Sequence, residues 1–478
     1  MDRKRGSLSP ILPLVIDLDG TLIHSDLLHE SVLYLLKVKP WLIFYLPYWL
    51  LKGKARLKSE LAKVIEFPIH SLPYNKELIG YIQEQRGLGR EIILCTASHQ
   101  NLAQSVADYL GIFDGVLASN EHINLAGIVK AKTLSDRYGD RGFDYAGNSH
   151  ADLAVWASSK SAIVVNGASS LIKKTRGFVV EKIFPPPVVG LKAWIKVFRL
   201  HQWVKNILIF IPAIAAHAVM TVDAWKDLIM AFLSFSFCAS FVYVINDLLD
   251  LESDRRHPRK RYRPFASGQI PIWIGLVLAP VLILSSILLA TDVGMSFLCW
   301  LLVYLALTTI YSWGLKRLVI VDVLTLAILY TLRIVAGAAA MEMPLSFWIL
   351  AFSIFLFLSL AFIKRDAELQ SHGGQGEQIH GRGYVTSDAS LIQQLGVSSG
   401  YAAVLVLALY INSENVVKLY RTPEMIWGAV PLLLWWLSWM WFQANRGLMH
   451  DDPIVFAIKD KTSLFIGALF LGTFALAR

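Results

Sequence analysis

Long apolar segments separated by short polar loops dominate the chain after about residue 200. Nine of them can be placed, with approximate limits 206–220, 225–245, 271–290, 293–311, 319–340, 345–363, 393–411, 424–443 and 463–477. A helix needs about 20 mostly apolar residues to cross a bilayer, and the first segment is marginal by that measure. The pattern predicts that residues 199–478 form an all-α polytopic membrane bundle of about nine transmembrane helices.

Positive charge alternates along the loops of this predicted bundle. Lys and Arg cluster in the loops 247–270, 312–318, 364–392 and 444–462, whereas 221–224, 291–292, 341–344 and 412–423 hold few. Short cytoplasmic loops of membrane proteins carry such an excess of Lys and Arg. We therefore expect the basic loops on the cytoplasmic side of an inner membrane and the C-terminus outside.

The first 183 residues show a different pattern, in which short apolar runs end in polar side chains. The runs at 13–16, 91–98 and 143–148 predict buried β-strands. Carboxylates or hydroxyls follow each of them, at the strand ends where open α/β sheets bind their ligands. Residues 1–183 are therefore predicted to form one α/β domain with a ligand site at this edge of its sheet.

A proline-rich stretch and an aromatic stretch complete the domain organisation. Residues 184–198 begin with Phe-Pro-Pro-Pro, which predicts a stiff linker leading to an interfacial segment. Residues 39–52 hold about eleven apolar residues, too few to span a membrane. Their Trp and Tyr rings and flanking lysines suit an element at the lipid headgroup level, but a core helix of a cap over the sheet fits equally well.

Composition narrows the possibilities further. The 478 residues allow two domains, and the 55% hydrophobic content is high for a soluble protein. The net charge of +9 resides in loops between apolar runs, so the chain is not expected to bind nucleic acid. The three cysteines lie far apart and predict no disulfide framework. The first ten residues are polar, and we expect no signal peptide and a cytoplasmic N-terminal domain.

The clearest chemistry follows the apolar residues 232–245. Residues 246–254 read Asn-Asp-Leu-Leu-Asp-Leu-Glu-Ser-Asp, and six Lys or Arg residues follow within 255–263. On one helix, an arc of about 100° would hold four oxygen-bearing side chains, those of Asn246, Asp247, Asp250 and Asp254. Oxygen ligands suit Mg²⁺, and basic side chains bind phosphate oxygens. The stretch predicts a site for Mg²⁺ and a diphosphate. The alternative is a solvated helix end followed by a basic loop that only sets the orientation of the helix in the membrane.

This stretch resembles the first aspartate-rich motif of the UbiA-type intramembrane transferases, and the resemblance runs from about Arg199 to the C-terminus. The continuation His-Pro-x-Lys-Arg-x-Arg-Pro at 257–264 resembles the branch of polyprenyl-phosphate phosphoribosyltransferases. That branch implies Mg²⁺-dependent transfer of 5-phosphoribosyl from phosphoribosyl pyrophosphate to a polyprenyl phosphate. Transfer of a prenyl group from prenyl diphosphate to an aromatic acceptor is the rival, because it needs the same metal site. A non-enzymatic membrane anchor or transporter is a weaker alternative, because the sequence shows none of the inverted half-repeats or broken helices expected of a transporter.

Several further residues are candidates for substrate contacts on the basic side of this bundle. The cations are Lys205, Lys260, Arg261, Arg263, Lys316 and Lys364, and Tyr311 lies near Lys316. Asp322 occupies the place of the family's second aspartate-rich motif, of which only the first Asp is present. It could instead pair with Arg333 or Lys205. The glycine-rich residues 373–383 fit either a flexible lid or an ordinary disordered loop.

The N-terminal motif Asp-Leu-Asp-Gly-Thr at 17–21, with a Thr, a Lys and an Asp downstream, resembles the haloacid dehalogenase phosphatase superfamily. The resemblance implies a Rossmann-like fold with a helical cap. It makes Asp17 the nucleophile, Asp19 the general acid and base, and Thr96 a phosphate donor. Lys130 would steady the phosphoryl group, with Lys132 as a rival.

The same resemblance implies a second Mg²⁺ site, and one departure bears on it. The implied ligands are Asp17, Asp19, Asn148 and Asp152. The family usually has Gly-Asp where this chain has Gly147-Asn148, so one metal carboxylate is missing. We expect weaker Mg²⁺ binding with the catalytic pair intact, and an inactive scaffold of the same fold is the alternative.

Overall fold

A computed structural model describes residues 12–216, 221–370, 382–413, 420–449 and 452–477. Most of the glycine-rich segment 373–383, with its predicted lid, lies outside these stretches, and so do the ten polar residues at the start of the chain.

The N-terminal region is built on one sheet of six parallel strands, as the apolar runs predict. Its strands are β1 (Leu14–Ile16), β2 (Ile92–His99), β3 (Gly115–Ser119), β4 (Asp144–Gly147), β5 (Ala162–Val165) and β6 (Val180–Phe184). Their order is β3-β2-β1-β4-β5-β6, so β1 lies in the middle and the order reverses beside it. Both faces of β1 and β4 are buried, which is usual for strands covered by helices on each side. This arrangement is the predicted Rossmann-like α/β fold.

Helices cover this sheet and form a separate cap between β1 and β2. They are α1 (Leu27–Val38), α2 (Leu46–Leu51), α3 (Lys54–Val64), α4 (Lys76–Gly87), α5 (Gln100–Leu110), α6 (Ile128–Tyr138), α7 (Leu153–Ser158) and α8 (Ser169–Lys174). A further helix, α9 (Leu191–Phe198), follows β6 in the predicted linker and interfacial segment. A 3₁₀ turn, Pro40–Tyr45, joins α1 to α2. The cap has a small core of its own, to which α1, α2 and α3 contribute.

The aromatic segment of the cap has a buried face and an exposed face. Trp49 is buried in the cap core beside Leu35 and Leu57. By contrast, Trp41 is 62% exposed and Phe44 is 82% exposed. The segment is therefore a core helix on one side and an exposed apolar surface on the other.

The remaining helices form the predicted all-α bundle. They are α10 (Leu200–Trp203), α11 (Ile211–Ala215), α12 (Val222–Leu249), α13 (Leu251–Arg256), α14 (Ile272–Val293), α15 (Met295–Trp313), α16 (Val321–Ala340), α17 (Phe347–Gln370), α18 (Ala389–Ile411), α19 (Ala429–Asn445), α20 (Pro453–Lys459) and α21 (Lys461–Ala477). Seven helices in the described part of the chain are long and apolar enough to cross a membrane. The first and last predicted spans correspond to shorter apolar helices, Leu200–Ala215 and Lys461–Ala477. The chain is thus a multi-pass membrane protein, and the predicted count of nine is approximate.

The chain divides into two compact units, and the division is not collinear with the sequence. One unit combines Met1–Val197 with Val244–Leu278, and the other combines Phe198–Tyr243 with Ala279–Arg478. The segment that carries the first acidic motif therefore packs with the N-terminal domain. The predicted boundary at 184–198 omits this part of the first unit.

The second unit packs around α16, whose side chains are mostly buried. A methyl group at Gly337 would lie 2.0 Å from the carbonyl oxygen of Ile209, so only glycine permits this close approach of α16 to the backbone of 204–210. This contact fixes the start of the bundle, where Lys205 lies, against α16.

Candidate active sites

The first acidic motif lies at a break between two helices instead of along one continuous helix. α12 ends at Leu249, α13 begins at Leu251, and Asp250 is the exposed residue between them. Asp247 and Asp254 are 4% and 2% exposed. The motif therefore consists of a buried pair of carboxylates and one exposed carboxylate.

A single cation bridges the buried pair. One guanidinium nitrogen of Arg263, Nη1, lies 3.0 Å from Asp247 Oδ1 and 2.6 Å from Asp254 Oδ2. Burial raises the pKa of Asp254, and the positive charge of Arg263 opposes that rise. The two carboxylates are therefore spaced to share one positive charge between them.

This geometry bears directly on the predicted Mg²⁺ site. No three His, Cys, Asp or Glu side chains in the described stretches converge on a point that could hold a metal ion. Asp247, Asp250 and Asp254 therefore do not form such a group of three, and the predicted Mg²⁺ site with Asn246 stays a prediction. The site that Arg263 Nη1 occupies would still suit a cation held by Asp247 and Asp254, with waters and substrate oxygens completing the coordination of Mg²⁺.

The basic loop after the motif divides its cations between two environments. Arg263 faces the acidic pair, whereas Lys260 and Arg261 lie in an exposed 3₁₀ turn, Lys260–Tyr262. Arg261 Nη2 donates a hydrogen bond of 2.8 Å to the hydroxyl of Tyr262. Two of the three predicted phosphate contacts are thus exposed, and the third is the counter-ion of the motif itself.

Asp322, in the place of the second motif, is bound by arginines. Its carboxylate is fully buried and lies 2.5 Å from Arg365 Nε and 3.0 Å from Arg382 Nη1. The hydroxyl of Tyr311 donates to Asp322 Oδ1 at 2.8 Å. The expected pairing of Asp322 with Arg333 or Lys205 is wrong, because its partners in the structure are Arg365 and Arg382.

The two predicted partners of Asp322 have other contacts. Arg333 Nε donates to Asn206 Oδ1 at 2.9 Å. Lys205 Nζ lies 2.6 Å from Asp452 Oδ2, and Lys364 Nζ lies 3.4 Å from the same oxygen.

Asp452 is a site residue that sequence reasoning missed. The Tyr330 hydroxyl lies 3.1 Å from both of its carboxylate oxygens. Burial opposes the charge of Asp452, but Lys205 and Lys364 hold its pKa below the usual range. Asp452 thus joins two lysines that were predicted to contact substrate. Only the position of an acid before Pro453 at a helix start could have drawn attention to it.

Lys316 is the remaining candidate from the basic side of the bundle. It lies half-buried in the 3₁₀ turn Leu315–Arg317, which follows α15. Its role in binding substrate stays a prediction.

The N-terminal domain brings its predicted catalytic pair to the end of the central strand. Asp17 follows β1, and Lys130 Nζ donates to its Oδ1 at 2.7 Å. Asp19 accepts hydrogen bonds from the backbone N–H of Leu27 at 2.8 Å and from the Ser98 hydroxyl at 2.6 Å. Burial raises the pKa of Asp17 to about 6 and that of Asp19 to about 7.

A buried chain of hydrogen bonds leads away from Asp17. Lys130 Nζ also donates to the Tyr145 hydroxyl at 2.9 Å, and that hydroxyl donates to Asp152 Oδ1 at 2.8 Å. Lys132, the rival for the role of Lys130, is exposed. The geometry therefore favours Lys130, which reaches the predicted nucleophile directly.

Asn148 and Asp152, both predicted metal ligands, have different surroundings. Asp152 Oδ2 accepts from the backbone N–H of Asn148 at 3.1 Å and from the backbone and hydroxyl of Ser149 at 2.9 and 2.8 Å. Both oxygens of Asp152 thus accept hydrogen bonds within the domain, and its role as a metal ligand stays a prediction. Gly20 has φ +71°, and a methyl group there would meet the Asn148 amide at 2.0 Å. Asn148 therefore lies directly against the 17–21 turn.

Ser98 and Asn166, which also lie around this site, were not among the predicted site residues. Thr96, the predicted phosphate donor, is buried within β2, and its hydroxyl accepts a hydrogen bond of 3.0 Å from the N–H of Ser98. Asn166 Nδ2 donates to the carbonyl of Gly20 at 2.8 Å. The position of Ser98, a hydroxyl-bearing residue two places after Thr96, could have indicated it as a site residue, whereas no sequence feature pointed to Asn166.

These sites define the class of the protein. A buried pair of carboxylates lies at the end of a membrane-spanning helix, and a basic loop follows it. These features are typical of an intramembrane transferase that acts on phosphorylated substrates. Residues 207–446 match the UbiA prenyltransferase family, and the chain belongs to that family.

Relatives extend over both halves of the chain. The y4nM protein of Sinorhizobium fredii is 38% identical over 98% of this chain and 91% of its own length. Decaprenyl-phosphate phosphoribosyltransferase of Mycobacterium tuberculosis is 37% identical over 61% of this chain and 96% of its own length. A UbiA homolog from Archaeoglobus fulgidus, solved with GPP and Mg²⁺, is 16% identical with a TM-score of 0.45 and covers 60% of this chain and 99% of its own.

Proposed function

We propose that the membrane domain transfers 5-phosphoribosyl from phosphoribosyl pyrophosphate to a polyprenyl phosphate. The observation that carries this proposal is the bridge that Arg263 makes between Asp247 and Asp254, because it shows a pair of buried carboxylates arranged around one positive charge. The name of the Mycobacterium tuberculosis relative supports the choice of donor and acceptor.

In the proposed reaction, an oxygen of the polyprenyl phosphate forms a bond to the anomeric carbon of the ribose. The bond from that carbon to the diphosphate breaks, and the diphosphate leaves with the electron pair. Mg²⁺ held by Asp247 and Asp254 would neutralise charge on the leaving diphosphate. Lys260 and Arg261 are exposed in the adjacent loop, where they can bind the phosphates of the donor.

The cations outnumber those that one diphosphate needs, which favours a donor with a further phosphate over a prenyl diphosphate. The six Lys and Arg residues within 255–263 supply these charges directly after the acidic motif. Phosphoribosyl pyrophosphate carries a 5-phosphate in addition to its diphosphate.

We further propose that the N-terminal domain removes this 5-phosphate from the lipid product. An oxygen of Asp17 would attack the phosphorus while Asp19 gives a proton to the departing ribose oxygen. Water would then hydrolyse the acyl phosphate, with Asp19 taking up a proton, to release phosphate and free Asp17. The contact between Lys130 and Asp17 supports this assignment, because a lysine there can stabilise the phosphoryl charge. Loss of the phosphate would make the transfer effectively one-way.

The two activities would take place on the same side of the membrane. The excess of Lys and Arg in alternate loops supports an inner-membrane location with the N-terminal domain in the cytoplasm. Tethering in one chain raises the concentration of one site near the product of the other.

The donor is tested with membranes that contain the protein, Mg²⁺ and polyprenyl phosphate. We expect release of diphosphate from phosphoribosyl pyrophosphate and formation of a ribosylated lipid. In parallel, the membranes receive geranyl diphosphate and an aromatic acid. Efficient prenylation of that acid without ribosyl transfer would overturn the proposal.

The coupling to a phosphatase is tested with Asp17→Asn in the same assay. This variant should accumulate the phosphorylated ribosyl lipid, whereas the wild-type protein should yield the free ribosyl lipid. Asp140→Asn, an exposed change in the same domain, is the matched control. Identical products from wild type and Asp17→Asn would contradict the assignment.

A further inference from the structure

A buried ion pair links the cap of the N-terminal domain to the acidic-motif segment within the first unit. Arg255 Nη2 lies 2.6 Å from Glu30 Oε1, and Nη1 lies 3.2 Å from Oε2. The two side chains are 8% and 3% exposed. A buried pair tolerates little displacement, because either charge left alone would be strongly destabilising.

Arg255 is also held by the backbone on both sides of this contact. Its Nε donates to the carbonyl of Ala266 at 2.9 Å, and Nη1 donates to the carbonyl of Ser71 at 3.3 Å. The guanidinium thus has partners from the cap, from the N-terminal domain and from the loop after the motif. Such a fully engaged group holds the three backbone segments at fixed distances.

Each member of the pair lies close to one of the two proposed active sites. Glu30 lies in the first turn of α1, and the N–H of Leu27 at the start of α1 donates to Asp19. Arg255 follows Asp254 on α13, and Asp254 binds Arg263. A shift of α13 that accompanies filling of the acidic site would therefore be transmitted to α1, and through α1 to Asp19.

The neighbouring contacts are weaker. Lys37 Nζ lies 3.4 Å from Glu252 Oε2, and these side chains are 40% and 25% exposed. Exposed pairs of this kind contribute little to stability. The buried pair is therefore the element that can transmit a displacement between α1 and α13.

We propose that Glu30 and Arg255 are positioning residues that couple the two active sites, so that a ligand at the acidic motif changes the state of α1. This inference rests on the proposed function, since it takes the motif to be the diphosphate site. Coupling between two sites is reciprocal for binding: occupation of the phosphatase site should in turn change the affinity of the acidic motif for its ligand.

The test uses the full-length protein in lipid nanodiscs and hydrogen–deuterium exchange of its backbone amides. The probe is inorganic pyrophosphate with Mg²⁺, which represents the leaving group of ribosyl and prenyl donors alike. In the wild-type protein we expect slower exchange at 251–256 and also, by about fivefold or more, at 27–38. In Glu30→Gln the protection at 251–256 should remain while that at 27–38 disappears.

Two further variants make the result specific. Arg255→Lys keeps the positive charge but cannot contact both carboxylate oxygens of Glu30, so the ligand should protect the amides of α1 less than in the wild type. This variant tests the coupling if Glu30→Gln does not fold. Lys37→Gln removes the exposed pair and should behave as wild type.

The possible outcomes separate the two hypotheses. Protection confined to 251–256 in the wild-type protein, or protection of α1 that persists in both pair variants, would overturn the coupling alone. Failure of Mg²⁺ and pyrophosphate to protect 251–256 would overturn the proposed diphosphate site and the coupling with it.

Discussion

Replacing Arg263 by alanine should make the stability of the protein depend on Mg²⁺. In the wild-type chain, Arg263 supplies the positive charge between Asp247 and Asp254. Without it, two buried carboxylates face each other with no cation between them. A divalent metal ion can take that place because its ligands would be the same oxygens.

The size of the effect follows from the two contacts that are lost. A hydrogen bond to a charged group contributes about 1.5–3 kcal/mol, so two such bonds set an upper limit of about 6 kcal/mol. The Arg263 side chain is 28% exposed, and solvent screening reduces the expected loss to on the order of 3 kcal/mol. Mg²⁺ at a hundredfold excess over its Kd would restore about 2.7 kcal/mol.

The assay is thermal unfolding of the purified full-length protein, followed by intrinsic fluorescence with a chelator and then with Mg²⁺. Arg263→Ala should unfold at a lower temperature than the wild type in chelator and should recover most of the difference in Mg²⁺. Arg259→Ala, which changes an exposed arginine of the same loop, is the control and should match the wild type in both conditions.

One result would refute the reasoning. If Mg²⁺ gives Arg263→Ala no more stability than it gives the wild type, then Asp247 and Asp254 do not form a metal site. Adding Asp254→Asn to Arg263→Ala should abolish the recovery, which identifies the carboxylates as the cause.

Three other changes test separate parts of the site. Lys260→Ala should raise the KM for the ribosyl donor at least tenfold with a smaller effect on kcat, since it removes one exposed phosphate contact; an unchanged KM would exclude Lys260 from donor binding. Asp452→Asn should lower the free energy of unfolding by about 3 kcal/mol, because Lys205 loses its buried counter-ion, and unchanged thermal unfolding would contradict this. Brominated lipids quench the fluorescence of tryptophans that reach the bilayer, so replacing Trp41 by Phe should remove part of the quenched fluorescence, whereas replacing the buried Trp49 should not. If the two variants show the same quenching, the exposed face of the cap does not reach lipid.

Features carried by contiguous residues could be predicted from the sequence. Apolar runs of 15 to 22 residues predict helices because burial in lipid depends on length and composition alone. The motif at 17–21 likewise indicates a strand end with two carboxylates. The apolar helices at the first and last expected spans, Leu200–Ala215 and Lys461–Ala477, are shorter than the length usual for a membrane crossing.

Pairings between distant residues could not be predicted in the same way. Asp322 is joined to Arg365 and Arg382, which lie 43 and 60 residues further along the chain. Many cations of equal charge were available, and only tertiary packing, such as that of α16 against α17 for Arg365, decides which of them reach this carboxylate. The break at Asp250 escaped prediction for a related reason, since neither glycine nor proline marks it.

The non-collinear first unit has a consequence for the order of events during synthesis. Glu30 lies 225 residues before its partner Arg255, so at about 5–20 residues per second the ribosome needs roughly 11–45 s to provide the guanidinium. During that interval the cap holds a carboxylate whose partner has not been made, and α12 must first enter the membrane. The N-terminal domain can complete its native packing only after insertion has begun.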